Sequence, residues 1–583
     1  SEDGLVMSNH HVGADALQKM SDEKHNYLRN GFYARTLEEE KPCYDLELNV
    51  LISIEDVTDR VNAAVPQGAT PEDAFAARRR IIAQIEKESY EKTGLRSDVV
   101  TLYQGGAYHL YRFKRYTDVR LVFAPEQQIA FFGGDPDNFE YPRYCLDICF
   151  FRVYENGKPA KIPHWLKWNQ IGVSDNELVF VSGHPGNTDR LLTVPELEYI
   201  RDNAFPYTLE RLNRLEVLLN SWGQRTPENA RRAMEDLFGV QNSRKARRGG
   251  LDGLLDPQFF IKKQQQEQQL QSEISKRTEL KDCADAWEKI AQAQKIIQKH
   301  SLEYRLLEGG NGFNSELFRI ARTLLRSATE SQKPDGERLR EYRDSARPSL
   351  ELRLFSAMPI YEDYEELKLA DSLRFLVAKL GWSNPLTQKI LDGKSPVERA
   401  SELVRNTKVK DINFRKTLYK QGINAVDAAK DPMIEFARLI DEPSREVRKI
   451  VETQDEIKQQ AHAKIARARF SIEGANTYPD ATFTLRLAFG EVKGYTENGK
   501  QIPYQTTYRG LYERAAQMEY KPPFNLPKRW LKSKVNLDAP LDFISTADII
   551  GGNSGSPVVN RNCELVGIIF DGNIQSLVLA FYY

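Results

Sequence analysis

The sequence predicts an α+β protein of several domains, with β structure toward both ends of the chain and helices in between. Three observations carry this. Leu46, Leu48, Val50, Ile52 and Ile54 alternate with other residues, and aromatic and β-branched runs fill 99–123, the period and composition of strands. From about 193 to 470 strand signals nearly vanish, and charged, helix-favouring residues of interspersed sign take over. After 470 the strand signals return, at 481–489 and from 542 onward. A chain of 583 residues exceeds what one hydrophobic core can organise.

Taken in order, residues 4–13 read as an apolar strand ending in a polar turn with His10 and His11 at its tip, and 14–37 as a polar, partly helical excursion. The alternating run at 46–54 is expected to lay one face on a core. Thr70-Pro71-Glu72-Asp73 is a helix start, with a hydroxyl cap, proline at the first helical position and acids in the first turn. Phe75, Ile82 and Ile85 share one face of that helix, and Gly94 ends it. The run at 99–123 divides at Gln104-Gly105-Gly106 into hairpins, and 129–132 is expected to be another strand leading into Gly133-Gly134-Asp135-Pro136-Asp137. A second β unit begins near Pro163, with a strand at 178–181. In the middle region Pro257, Phe260, Leu270, Ile274, Trp287, Ile290 and Ile297 mark long helices. Residues 494–499 are turn chemistry, and 542–550 is expected to be a strand running into the loop at Ser554. The second β unit is thus expected to be interrupted by the helical region.

Lys plus Arg number 82 and Asp plus Glu 83, so no global field draws nucleic acid or an anionic surface. No stretch approaches the ~20 apolar residues of a membrane span. Five cysteines (Cys43, Cys145, Cys149, Cys283, Cys563) are odd in number and make no disulfide framework, and no His/Cys/Asp cluster has ligand spacing, so neither a metal nor a cofactor is expected. No signal peptide stands at the start; the first residues read as the middle of a strand, and 577–583 as an interrupted apolar run.

The chemistry-bearing stretch is Gly551-Gly552-Asn553-Ser554-Gly555-Ser556-Pro557. A serine hydroxyl attacks a carbonyl usefully only where preorganised donors meet the oxyanion, and a glycine-rich turn offers backbone N–H groups, here those of Gly552 and Ser554. A strand, the turn Asn560-Arg561-Asn562 and a second strand follow, whereas the elbow of an α/β-hydrolase would lead into a helix. The serine needs a base and an orienting acid. His10 and His11 precede it, and the order histidine first, serine last is that of chymotrypsin-like enzymes. His184, between glycine and proline, reads as a turn residue. Between histidine and serine, 133–147 offers Asp135, Asp137 and Asp147.

The motifs Asn-His-His, Gly-Gly-Asp-x-Asp-Asn-Phe-x-Tyr-Pro-Arg-x-x-x-Asp and Gly-Gly-Asn-Ser-Gly-Ser-Pro, followed by Phe-Asp-Gly-Asn, closely resemble those of the bacterial dipeptidyl-peptidase 7/11 family, and the likeness runs along essentially the whole chain. The resemblance implies a chymotrypsin-like double β-barrel with a large inserted α-helical domain. Residues 1–160 would hold the first barrel, 161–195 and 471–583 the two parts of the second, and 196–470 the insertion. It implies a triad of His11, Asp147 and Ser554, and it implies that the free amino group of a peptide substrate is held by Asn138, Asp571 and Asn242, with Phe139 packing where many relatives have tryptophan. Glycine at 572, where acid-specific relatives carry arginine, implies apolar residues before the cleaved bond. The dipeptidyl-peptidase 7 type is the nearer of the two. A homodimer and a periplasmic or cell-surface location are implied as well. Two rival classes are an endopeptidase on the same scaffold and a catalytically inactive peptide-binding relative.

Overall fold

The computed structural model describes residues 1–474 and 478–582; residues 475–477 and 583, all within the expected segment 471–583, lie outside the described residues. The chain opens with strand β1 (Leu5–Ser8) and helix α1 (His10–Met20). Strand β2 (Leu48–Asp56), helix α2 (Pro71–Thr93) and strands β3 (Arg96–Leu102), β4 (Ala107–Tyr116), β5 (Asp118–Ala124) and β6 (Cys149–Glu155) complete the N-terminal part. Helix α2 forms where its caps require it: the Thr70 side chain accepts the Asp73 N–H, and Gly94 closes it at φ +67°.

β1, β6 and β5 lie side by side in a six-stranded sheet, extended by short strands at Phe32–Tyr33, Lys41–Pro42 and Lys158–Pro159. β2, β4 and β3 form a separate three-stranded sheet. Strands β7 (Lys167–Trp168) and β8 (Leu178–Gly183) then lead into helices. Prominent among them are α3 (Phe205–Gly223), α4 (Pro227–Leu254), α5 (Ala286–Leu306), α6 (Glu316–Glu330), α7 (Glu362–Leu380) and α8 (Pro432–Glu473). Strands β9 (Arg486–Glu491), β10 (Pro557–Val559) and β11 (Glu564–Ile568) return to β7 and β8 in a five-stranded sheet of order β7-β11-β10-β8-β9. β8 pairs antiparallel with β9, so helices stand between two hydrogen-bonded neighbours of one sheet. The helical part has its own core: Leu317, Ile320, Ala321, Leu324, Leu325 and Ala328 bury one stripe of α6 against α7 and α8.

The structure corrects the sequence reading at several points. No closed barrel is present among the described residues. Closure needs strands of matched length and continuous stagger, whereas β10 has three residues, and β4 and β5, separated only by Thr117, belong to different sheets. The residues at 129–132 begin in a helical turn, Gln127–Ala130. The run at 46–54 does form a strand, β2, but Val50, Ile52 and Ile54 are exposed, because the face of this sheet that meets α2 is built by Val99 and Leu110 of the neighbouring strands. Of the run at 542–550 only Asp542 and Phe543 lie in a named strand, the end of Pro540–Phe543. His10 and His11 open a helix instead of tipping a turn.

Candidate active site

β1 pairs with β6 so that Ser8 lies opposite Cys149. That register brings together the residues just beyond the paired ends: His11 in the first turn of α1, and Asp147 two residues before β6. Asp147 Oδ2 lies 2.6 Å from His11 Nδ1, and its Oδ1 accepts the His11 backbone N–H at 3.1 Å. The Asn9 side chain donates to the Asp147 carbonyl at 2.9 Å. The other face of the imidazole meets the serine loop, with His11 Nε2 2.8 Å from Ser554 Oγ.

That loop is shaped by what its neighbours leave free. Gly552 has φ +104°, and a Cβ there would lie 2.5 Å from the Gly186 nitrogen, so only glycine fits. The Gly186 N–H donates to the Gly551 carbonyl at 2.7 Å, and the Gly555 N–H to Ile569 at 2.8 Å, which clamps the loop from both sides. Among the described residues the N–H groups of Gly552 and Ser554 have no protein acceptor, and they are the two sequence-predicted oxyanion donors.

Burial alone would lower the pKa of His11, but the Asp147 charge and hydrogen bond outweigh it and the net shift is upward. Asp147 moves down: burial opposes this, and His11 overcomes it. His10 points the other way, into the protein. It is buried, held neutral by burial with a pKa of about 4, and makes no bond to Ser554.

Asn138, Phe139, Asn242, Asp571 and Gly572 line the same cleft of about 100 Å³ as His11 and Ser554. The Asn138 side chain donates to Asn242 Oδ1 at 2.9 Å, which leaves the Asn138 amide oxygen as an acceptor. Asp571 Oδ2 accepts the Phe139 N–H at 3.0 Å and Arg143 Nη1–H at 3.2 Å, while Oδ1 accepts the Gly572 N–H at 2.8 Å. Burial raises the Asp571 pKa, against the pull of Arg143. Asp135 and Asp137 are engaged elsewhere, with Arg244 at 2.7 Å and Arg514 at 2.9 Å. Among the described residues no group of His, Cys, Asp and Glu could hold a metal ion, and no helix is long and apolar enough to cross a membrane.

Among the side chains of the cleft that sequence reasoning missed are Arg143, Phe238 and Phe131. Arg143 stood inside a quoted motif without a role, and here it ties Asp571 to the segment that carries Asp147. Phe238 stands four positions before Asn242 on α4, on the same face, and its ring lies 6.4 Å from that of His11. Phe131 meets Phe238 edge to face at 4.8 Å. The helical spacing back from Asn242 was the signal that could have found Phe238.

A hydroxyl aligned on an imidazole that a buried carboxylate orients is the working arrangement of serine hydrolases. The whole chain, residues 1–583, matches the peptidase S46 family, and it belongs to that family: it is a peptidase. It is 28% identical to dipeptidyl-peptidase 7 of Phocaeicola vulgatus over 99% of this chain and 84% of that one. It is 27% identical to the Asp/Glu-specific dipeptidyl-peptidase of Shewanella putrefaciens over 100% of this chain and 86% of that one. Among solved structures, that of Porphyromonas endodontalis DPP11 in complex with the dipeptide Arg-Glu superposes with a TM-score of 0.80 at 23% identity, covering 100% of this chain and 87% of the other.

Proposed function

We propose that this peptidase is a serine dipeptidyl peptidase, releasing dipeptides from the free N-terminus of peptides. His11 takes the proton of Ser554 Oγ as the hydroxyl attacks the substrate carbonyl; Asp147 holds the imidazole tautomer and stabilises its charge. The Gly552 and Ser554 amides receive the oxyanion; the C–N bond then breaks as His11 gives its proton to the leaving amine, and water, deprotonated by His11, attacks the acyl-enzyme and releases the dipeptide as the proton returns to Ser554 Oγ. The carrying observation is the hydrogen-bonded row Asp147–His11–Ser554 in one cleft with the acceptors of Asn138, Asn242 and Asp571. An ammonium has three donors and no acceptor, so two amide oxygens and a carboxylate match it. Phe139 contributes its backbone, whose N–H fixes Asp571. Relatives bearing the dipeptidyl-peptidase name support the same reading. The test compares free and N-acetylated dipeptidyl reporters: acetylation should abolish turnover, and equal cleavage would leave an endopeptidase instead.

For the residue before the cleaved bond, relatives of both kinds are similar to this chain, so the preference rests on the cleft itself. A Cβ on Gly572 would lie 3.0 Å from Ser576 Oγ and 3.4 Å from Ile549 Cδ1, and Ile549 and Ile550 line the wall of the cleft. The guanidinium of that cleft, Arg143, is already paired with Asp571. A substrate carboxylate there would lose water without a free partner, whereas an aliphatic side chain gains roughly 1.5–3 kcal/mol on burial. Leucine should therefore exceed aspartate at this position by about tenfold or more in kcat/KM, and a preference for aspartate would show that Arg143 releases Asp571 to bind substrate. A homodimer and a periplasmic or cell-surface location are proposed from family resemblance, and light scattering and cell fractionation test them.

A further inference from the structure

Residues 143–148 carry Asp147 and the arginine that pairs with Asp571, yet they lie in no helix or strand. A segment without its own hydrogen-bond ladder keeps its shape through the partners its neighbours supply. Two of its backbone N–H groups are anchored from other parts of the chain: that of Leu146 donates to the Ile129 carbonyl at 2.8 Å, and that of Cys145 to Asp542 Oδ2 at 2.9 Å. The second anchor is a side chain, and it comes from the strand Pro540–Phe543, which precedes the serine loop.

Asp542 is itself fixed. Its strand pairs antiparallel with Gln505–Thr507, its N–H donates to Thr506 Oγ1 at 3.0 Å, and the Thr506 hydroxyl donates to the Asp542 carbonyl at 3.3 Å. Both ends of the anchor are out of water, Asp542 at 7% exposed and Cys145 at 3%. From Cys145 the contact divides toward two parts of the cleft. Two residues on stands Asp147, bonded to His11. Two residues back stands Arg143, whose Nε–H donates to Cys145 Sγ at 3.1 Å while its Nη1–H donates to Asp571 Oδ2 at 3.2 Å. A charged carboxylate placed here would compete with Asp147. Burial prevents that by pushing Asp542 up to about 8, against the pull of the Cys145 N–H and of Arg143, while the Asp147 charge adds to the rise. The other titratable groups that feel it, Tyr141, Tyr144, Tyr508 and Cys145, are pushed up by burial too, and Arg143 keeps its charge. Near pH 7 Asp542 is therefore a neutral acid whose carbonyl oxygen accepts a hydrogen bond.

We propose that Asp542 is a positioning residue for the reaction: by accepting the Cys145 N–H it sets the segment that presents Asp147 to His11 and, through Arg143, Asp571 to the substrate amine. This rests on the triad and the amine site proposed above. Removing the acceptor should act on binding and on chemistry together. In Asp542→Ala, KM for a free-amine reporter should rise about tenfold as Asp571 loses its place. The same variant should lose about ten- to a hundredfold in kcat, the effect of misplacing a reacting group by roughly 1 Å. The proton step of His11 should move to lower pH, because a displaced Asp147 supports the imidazolium less.

The test measures KM, kcat and the pH profile of the whole enzyme and of two variants, Asp542→Ala and Asp542→Asn. A misfolded fraction lowers apparent kcat but moves neither KM nor the proton step, so those two readings separate positioning from lost folding. Asn keeps the acceptor oxygen and puts an amide where the acid holds its proton, so Asp542→Asn should match the wild type in both. A raised KM or a moved step in Asp542→Asn overturns the proposal, and so does Asp542→Ala with both unchanged. Should Asp542→Ala fail to fold, Asp542→Ser, whose hydroxyl stops one atom short of the Cys145 N–H, is read in its place. Acetylated reporters cleaved by the wild type as fast as free ones would sink the dipeptidyl reading and the KM effect with it. Inert acetylated reporters, together with an unmoved KM and step in Asp542→Ala, remove this proposal alone.

Discussion

At the scale of single residues, the two adjacent histidines differ in everything but type. His11 is bonded on both ring nitrogens, to Asp147 and Ser554, whereas His10 is buried with Nε2 unpartnered. Ser554→Ala should abolish turnover of a free-amine reporter while thermal melting stays near the wild-type value, since a small change in a loop costs little stability and removes the proposed nucleophile. His11→Ala should be nearly as damaging. His10→Ala should cost stability and far less rate on the same reporter, and the reverse ranking would assign the base to His10. The pH profile follows from the same contacts. As the proposed base His11 must be neutral, and Asp147 raises its pKa above 6.5, so kcat/KM should climb with pH through one proton step above that value. Removing the charge with Asp147→Asn should move the step to lower pH, with a rate loss of order 10⁴ by analogy with other triads; an unmoved step would mean that a different group titrates. Motif and chain order made the triad candidates legible in the sequence. The choice between neighbours and the partner of Asp571 were not, because whether a side chain faces the cleft depends on the β1–β6 register and on where α1 begins.

At the scale of elements, α4 joins the two halves of the site. It carries Phe238 and Asn242 into the cleft, and its C-terminal half lies against the segment Ile574–Ala580, which follows Asp571 and Gly572. The contact is made at glycines: a Cβ on Gly253 would lie 2.6 Å from Val578 Cγ2 and 2.8 Å from Val578 Cβ. The Ile574 N–H in turn donates to the Phe139 carbonyl at 2.7 Å. Gly253→Val should therefore push this segment off the helix. Overpacking of this kind costs about 1–3 kcal/mol, more than the few tenths that valine recovers in helix propensity. The melting temperature should fall, and kcat/KM for free-amine reporters should fall with it through displaced Asp571. Normal values of both would show that α4 does not set the Asp571 position. From the sequence, helices with strong caps were legible, as at Thr70-Pro71 and Gly94. The strand period at 46–54 was legible too, but not which way its apolar row points, since that depends on where α2 and β3 pack. Barrel closure was expected by resemblance and is not seen among the described residues; strand length and stagger are properties of pairing that one strand's composition does not fix.

At the scale of the whole molecule, the site is assembled from both ends of the chain and from the helices between them, so the helical part must hold its shape independently of the chemistry. Its central fastening is Glu308, in the turn between α5 and α6. This carboxylate meets Arg322 at 2.6 Å, Arg326 at 2.7 Å and Arg448 of α8 at 3.0 Å. Burial opposes its ionisation, but the three guanidiniums hold its pKa down at about 2. A depressed carboxylate pKa contributes stability that is present above the unfolded-state value near 4.5 and is lost as pH falls toward 2. Glu308→Gln takes from Arg322 its carboxylate partner, while Arg326 keeps Asp441 and Arg448 keeps Glu341 and Glu452, so the cost falls at or below the lower end of the roughly 3–5 kcal/mol for breaking a buried pair from one side. The variant should melt below the wild type at pH 7, and the gap should narrow as pH is lowered from about 5 toward 2, since the wild type then loses the same charge. Glu308 does not line the active cleft, so at temperatures where the variant is folded, kcat/KM for a free-amine reporter should stay within about twofold, as expected for distant, independent sites. Activity lost without a change in melting would instead reveal that the Glu308 network controls how α4 presents Asn242 to the cleft.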